Sequence, residues 1–244
     1  MPANEAFNLL RECSPTISVG ILSADLMHLE SEVALLEGLN VKMLHFDVMD
    51  GCFVPYLTVG PRFIKAVKTN LLKDIHLMVR EPEKSIEEYV DAGADIITIH
   101  LESTNVARPI LRKLGEMKNV NDPNRGIIRG VALNPDTPVK LLETLLDDIE
   151  VITVLAVDLK VKGFPFFDSI GDKFEEVKNM VRRIEKGVLL CIDGGVKRNN
   201  IGELAQFGAD ILVSGSAVFS GDGARENIRF MLNAVKTRGR QEIQ

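Results

Sequence analysis

The residues of this chain best suited to chemistry are two histidines and two aspartates set among apolar runs. The stretch "KMLHFDVMDG", residues 42–51, places His45 and Asp47 two positions apart between Leu44, Phe46 and Val48. In a strand, residues i and i+2 point to the same side, so both polar groups enter one space and the apolar residues enter the other. If that space is the protein interior, an ionised Asp47 is costly there without a partner. "DIHLMV" supplies His76 and "CIDGGV" supplies Asp193, each near the C-terminal end of an apolar run. Imidazole nitrogen and carboxylate oxygen together suit a divalent ion, and zinc, iron, manganese or cobalt would all accept such ligands. A lone strand histidine is commonly a hydrogen-bonded core group, and a lone aspartate at a strand end is commonly a cap, so the metal reading rests on the set. His28 falls in a helical segment and reads as surface; His100 ends another apolar run without a partner that would make it a ligand. A bound ion could polarise a carbonyl and its neighbouring hydroxyl, stabilising the enediolate left when a carbon acid loses its proton. Asp47 and Asp193 would then act as base and acid, exchanging that proton with inversion.

Strands must aim these groups, and the chain supplies them at regular intervals. "SVGILSA", "KMLHFDVMDG", "DIHLMV", "DIITIHLES", "RGVALNP", "EVITVLAVD", "VLLCIDGGV" and "DILVSGSAVF" each precede an amphipathic segment, among them "DLMHLESEVALLEGLN", "TPVKLLETLLD" and "FEEVKNMVRRIEK". About eight βα units close a (β/α)8 TIM barrel, whose strand ends ring one mouth. Runs this apolar fit a parallel sheet covered on both faces. A doubly wound open sheet is the alternative, but the first unit lacks a GxGxxG turn and the polar residues gather at the ends of several strands. The expected architecture is one (β/α)8 domain over residues 1–244, with "NEAFNLLREC" as an extra N-terminal helix.

A second signal follows the last two strands. "DGG" (193–195) and "SGSAVF" (214–219) stand where barrels often bind phosphate with backbone N–H groups, making Gly194, Gly195, Gly215 and Ser216 candidates; each glycine could instead serve only a tight turn. With a net charge of -6, the chain is not expected to bind nucleic acid or anionic membrane, though a local pocket for a small anion is compatible with it. The segment "MPANEAFNLLREC" has no basic stretch followed by an apolar one, and no run approaches the roughly 20 apolar residues of a membrane span. The expected location is cytoplasmic. Cys13, Cys52 and Cys191 lack CxxC spacing and read as reduced structural residues.

In order and spacing, "HFDVMDGCFVP", "DIHLMV", "ALNPDTPV", "CIDGGV" and "SGSAVF" resemble the ribulose-phosphate 3-epimerase family, across nearly the whole chain from "ILSADL" onward. The resemblance implies a divalent ion held by His45, Asp47, His76 and Asp193, with Asp47 and Asp193 as the acid/base pair for 1,1-proton transfer at C3 of a ketose phosphate, and a homo-oligomer. It also implies that Met49 and Met78 lie beside the enediolate, where composition alone would favour core filling. A third such position is Leu155 here. Two departures bear on substrate. Gly20 replaces a serine of the family's "PSILSAD", and Leu159–Phe164, "LKVKGF", stands where the family has the glycine-rich "PGFGGQ" that closes over substrate. Lys160 and Lys162 could supply phosphate-binding charge in its place, or be solvated surface lysines. Three readings follow: a ribulose 5-phosphate epimerase, an epimerase of another ketose phosphate such as allulose 6-phosphate, and a non-catalytic sugar-phosphate-binding barrel. Retention of both Asp47 and Asp193 argues against the third.

Overall fold

The computed structural model describes residues 5–158, 167–184, 186–221 and 223–236. Strands β1 (Thr16–Gly20), β2 (Met43–Met49), β3 (Leu72–Met78), β4 (Ile96–His100), β5 (Ile128–Leu133), β6 (Val151–Leu155), β7 (Leu189–Asp193) and β8 (Ile211–Ser214) are parallel and pair in chain order, with β8 closing on β1. Helices α1 (Glu5–Cys13), α2 (Leu29–Gly38), α3 (Pro61–Ala66), α4 (Ile86–Asp91), α5 (Ala107–Glu116), α6 (Phe167–Val181), α7 (Ile201–Gln206), α8 (Ser216–Phe219) and α9 (Ala224–Lys236) complete the (β/α)8 barrel. α1 is the extra N-terminal helix.

Strand alternation sorts side chains into two separate cores. Outward positions such as Leu44, Phe46, Val48, Ile75 and Leu77 are fully or almost fully buried under the helices. Each such side chain contributes about 1.5–3 kcal/mol by leaving water. The inward set is layered. Met43, Leu72, Ile96, Ile128, Val151 and Leu189 form the lowest apolar layer, and Ala6 and Leu10 of α1 pack against it, closing the N-terminal end of the barrel. Two residues further along their strands stand Ser18, His45, Asp74, Thr98 and Cys191, and two further still stand Asp47, His76, His100, Leu155 and Asp193. The barrel is therefore apolar at its base and polar at its C-terminal mouth.

Gly130 of β5 marks how tightly this interior is filled. A Cβ there would lie 2.1 Å from Thr98 Oγ1 and 3.0 Å from Thr98 Cα, so one neighbour is backbone and cannot swing aside. Gly130→Ala is expected to destabilise the protein by about 1–3 kcal/mol through overpacking. Chemical denaturation against the parent checks this, and an unchanged midpoint would mean the two strands move apart easily.

One expected helix takes another form. "TPVKLLETLLD" and the aspartate that follows it form two 3-10 segments, Val139–Leu142 and Leu146–Asp148, with i to i−3 bonds such as Leu145 N–H to Leu142 O at 2.8 Å. Val139, Leu142 and Leu145 are all buried and are spaced by three. Leu146 and Ile149 are buried as well, so the apolar positions fit an α-helical face equally and do not by themselves select the tighter winding. Lys173 of α6 fixes the start of this segment by donating to the carbonyls of Asn134, Pro135 and Thr137 at 2.5–3.1 Å. No helix among the described residues is long and apolar enough to cross a membrane.

Candidate active site

β2 and β3 pair in a register that sets Asp47 opposite His76, while β7 pairs with β6 so that Asp193 stands opposite Leu155. Barrel closure then brings β7 across the mouth from β2 and β3. His45 Nε2 lies 3.2 Å from Asp47 Oδ1 and 3.6 Å from Asp193 Oδ2; His76 Nδ1 lies 2.9 Å from Asp193 Oδ2 and 3.7 Å from Asp47 Oδ1. One ligand atom from each of His45, Asp47, His76 and Asp193 falls within 4.8 Å of all the others. The sequence-based set is thus brought together as a group that could hold a metal ion.

The donor set fits an ion for a further reason. His76 Nδ1 is buried and, despite its closeness to Asp193, has no hydrogen-bond partner among the described residues. A buried polar atom without a partner costs about 1–3 kcal/mol, and a coordinated cation would remove that cost. Charge in the cluster is paired. Burial works against a protonated His45, but the carboxylates of Asp74 and Asp47 outweigh it and raise its pKa well above 6.5. Burial likewise works against an ionised Asp47, yet the charge of His45 and its hydrogen bond hold the Asp47 pKa below the ordinary value.

Behind the cluster lie groups that sequence reasoning missed. Asp74 accepts from His45 Nδ1 at 2.7 Å and from Ser18 Oγ at 2.8 Å, one layer below the mouth. On the other side, His76 Nε2 lies 2.8 Å from His100 Nε2, and His100 Nδ1 lies 3.1 Å from Glu102 Oε2. His100, read in the sequence as having no partner that would make it a ligand, touches a candidate ligand through its ring. Burial drives the His100 pKa down to about 4. Against its own burial, Glu102 is held at about 2 by hydrogen bonds from His100, Thr137 and the Asn134 backbone. A signal for Asp74 existed: "DIH" repeats in β3 the i, i+2 pairing of "HFD" in β2.

The loop after β2 frames the mouth. Asp50 Oδ1 accepts the backbone N–H groups of Cys52 and Phe53 at 2.8 and 2.9 Å, its Oδ2 accepts that of Arg80 at 2.9 Å, and Gly51 takes φ 72°. Phe53 is thereby set against the His100 ring, with centroids 5.0 Å apart. Met49 and Met78 are register partners two residues above Asp47 and His76; Met78 is buried and Met49 partly exposed. Leu155, at the third position of this kind, is also buried.

Beyond β7, Gly194 and Gly195 adopt φ 104° and 66°, and a Cβ on Gly194 would come 2.6 Å from Val157 Cγ2. Both the backbone angle and the space therefore require glycine at 194. Gly215 and Ser216 lead from β8 into α8. A Cβ on Gly20 would stand 3.1 Å from Gly215 Cα, so glycine at 20 lets the ends of β1 and β8 approach closely. Lys160 and Lys162 lie outside the described residues, as does the rest of "LKVKGF".

A closed (β/α)8 barrel with two imidazoles and two carboxylates gathered at its C-terminal mouth defines a barrel enzyme with a candidate metal centre. The chain belongs to the ribulose-phosphate 3-epimerase family, which its residues 16–219 match, and so to the isomerases. It is 36% identical over 206 residues to ribulose-phosphate 3-epimerase of Bacillus subtilis (strain 168), covering 83% of this chain and 91% of that protein. It is 35% identical over 217 residues to the chloroplastic ribulose-5-phosphate-3-epimerase of Arabidopsis thaliana, covering 87% of this chain and 74% of that protein. Among solved structures, KGPDC from Streptococcus mutans superposes with a TM-score of 0.65 at 14% identity, covering 92% of this chain and 98% of that one, which is a likeness of fold alone.

Proposed function

We propose that this chain is a metal-dependent ketose-phosphate 3-epimerase that interconverts ribulose 5-phosphate and xylulose 5-phosphate. The observation that carries the reading is the pair Asp47 and Asp193 within one cluster of four ligand atoms, with His76 Nδ1 buried and unpartnered among them. His45, Asp47, His76 and Asp193 would hold a zinc, iron, manganese or cobalt ion. Such an ion would supply charge to polarise the substrate's C2 carbonyl and C3 hydroxyl. The chain's own groups do the rest. One carboxylate takes the proton from C3 on one side of the bound sugar, and the other returns a proton on the opposite side, so the configuration inverts. In the reverse direction the two exchange roles.

Met49 and Met78 would line the reacting carbons and keep water from them. The backbone N–H groups at Gly194, Gly195, Gly215 and Ser216 would receive the phosphate, with Lys160 and Lys162 adding charge. A second reading, an epimerase of a different ketose phosphate such as allulose 6-phosphate, is favoured by Gly20 and by "LKVKGF", where the family's serine and glycine-rich loop are replaced.

The test is solvent deuterium uptake at C3 across a panel of pentulose and hexulose phosphates, each with several divalent metals. Exchange into ribulose 5-phosphate supports the first reading, and exchange confined to a hexulose phosphate supports the second. No exchange in any of them would sink the epimerase proposal.

A further inference from the structure

Which nitrogen of His76 is free to bind a cation depends on where its proton sits, and the surrounding groups constrain that choice. Glu102 Oε1 already receives the Asn134 backbone N–H at 2.9 Å and the Thr137 hydroxyl, leaving Oε2 to face His100 Nδ1. A carboxylate can only accept, so His100 Nδ1 carries a proton. The two Nε2 atoms of His100 and His76 lie 2.8 Å apart with their rings parallel to within 9°, a distance at which only one proton fits between them. Were that proton on His100, His76 would accept it and its Nδ1 would carry a proton aimed at the carboxylates. Yet His100 is fully buried, which disfavours an imidazolium, and a neutral imidazole carries one proton, already given to Glu102, so its Nε2 accepts. The proton therefore belongs to His76 Nε2, and His76 Nδ1 presents its lone pair to the mouth.

We infer that Glu102 and His100 are positioning residues that fix His76 in the tautomer with Nδ1 unprotonated, so that this atom is ready to ligate a divalent cation. The inference rests on the metal-dependent reading proposed above, but concerns residues outside the candidate ligand set. Glu102 sits at the turn that follows β4 and is tied to the start of the loop after β5, so the tautomer of a β3 residue is set by two neighbouring strands. Outer partners of this kind typically carry about 10–100-fold in metal affinity.

The test uses the full chain with 15N-labelled histidine, first metal-free. NMR should find the His100 proton on Nδ1 and the His76 proton on Nε2. Glu102→Gln should reverse both. Its amide oxygen must serve the donors at Asn134 and Thr137, turning the NH2 group toward His100 Nδ1; His100 then donates from Nε2, and His76 takes its proton on Nδ1. By competition with a chelator for zinc or manganese, affinity should fall about 10–100-fold. His100→Phe, which removes the acceptor for His76, should weaken binding similarly and serves if Glu102→Gln does not fold. A wild-type His100 with its proton on Nε2 would overturn the inference, as would a folded Glu102→Gln with unchanged His76 tautomer and unchanged affinity. If the wild-type chain binds neither ion, the metal reading falls, while the wild-type proton positions still decide the role of Glu102 and His100.

Discussion

Replacing Asp193 by Asn is expected to lower the rate of proton exchange at C3 by about 10³-fold or more while leaving the fold intact. Asn matches Asp in volume, so the packing of β7 against β6 has no steric reason to change. Two losses coincide, however. Asp193 Oδ2 stands 2.9 Å from His76 Nδ1 and 3.6 Å from His45 Nε2, so the substitution removes an anionic donor from the cluster. In the proposed mechanism it also removes one of two proton carriers, and a positioned acid or base contributes about 10²–10⁴-fold by itself. Exchange at C3 and circular dichroism, measured on the same preparation with metal in excess, separate a chemical defect from a folding one. Full activity in Asp193→Asn would overturn the assignment of Asp193 to both roles.

The second large effect lies one layer deeper. Asp74→Ala should destabilise the protein by about 3–5 kcal/mol, because removing one member of a buried charged pair leaves the other without compensation. Asp74 and His45 are 6% and 3% exposed, so solvent cannot replace the lost contact. Ser18 Oγ loses its acceptor in the same step. For a chain of this size that change corresponds to a fall in Tm of roughly 6–20 °C. Ser18→Ala, which leaves the Asp74–His45 contact in place, should cost only about 1 kcal/mol. A Tm for Asp74→Ala within two or so degrees of the parent would mean that Asp74 does not anchor His45. Together the two substitutions distinguish the proposed proton carrier from the group that anchors His45.

These two residues differ in how far the sequence exposes them. Asp193 is legible because it ends an apolar run before two glycines, the pattern of a strand leading into a turn at a barrel mouth. Asp74 sits in the same face pattern as His76, but nothing local to "DIHLMV" says that its partner is His45 of the preceding strand. Glu102 was harder still. It lies just past β4 in a 3-10 turn, where the period-2 rule no longer gives a direction, and its contacts to Asn134 and Thr137 depend on how the loop after β5 folds back. "TPVKLLETLLD" shows the opposite case, in which the apolar positions were evident but the winding was not, since the buried Val139, Leu142, Leu145 and Leu146 fit an α-helical face as well as a 3-10 one.

What the sequence determined by itself is therefore periodic and local: strands alternating with helices, His45 beside Asp47 on one face, and Met49 and Met78 following them at the same period. Those follow from the two-residue repeat of an extended chain, which requires no knowledge of neighbours. The tertiary structure decided the distances across the mouth, the anchoring of His45 by Asp74, and the contact of His76 with His100. Such contacts join residues from 24 positions apart, His76 and His100, to 148 apart, His45 and Asp193, and only the register between strands and the closure of β8 on β1 determine which of them meet.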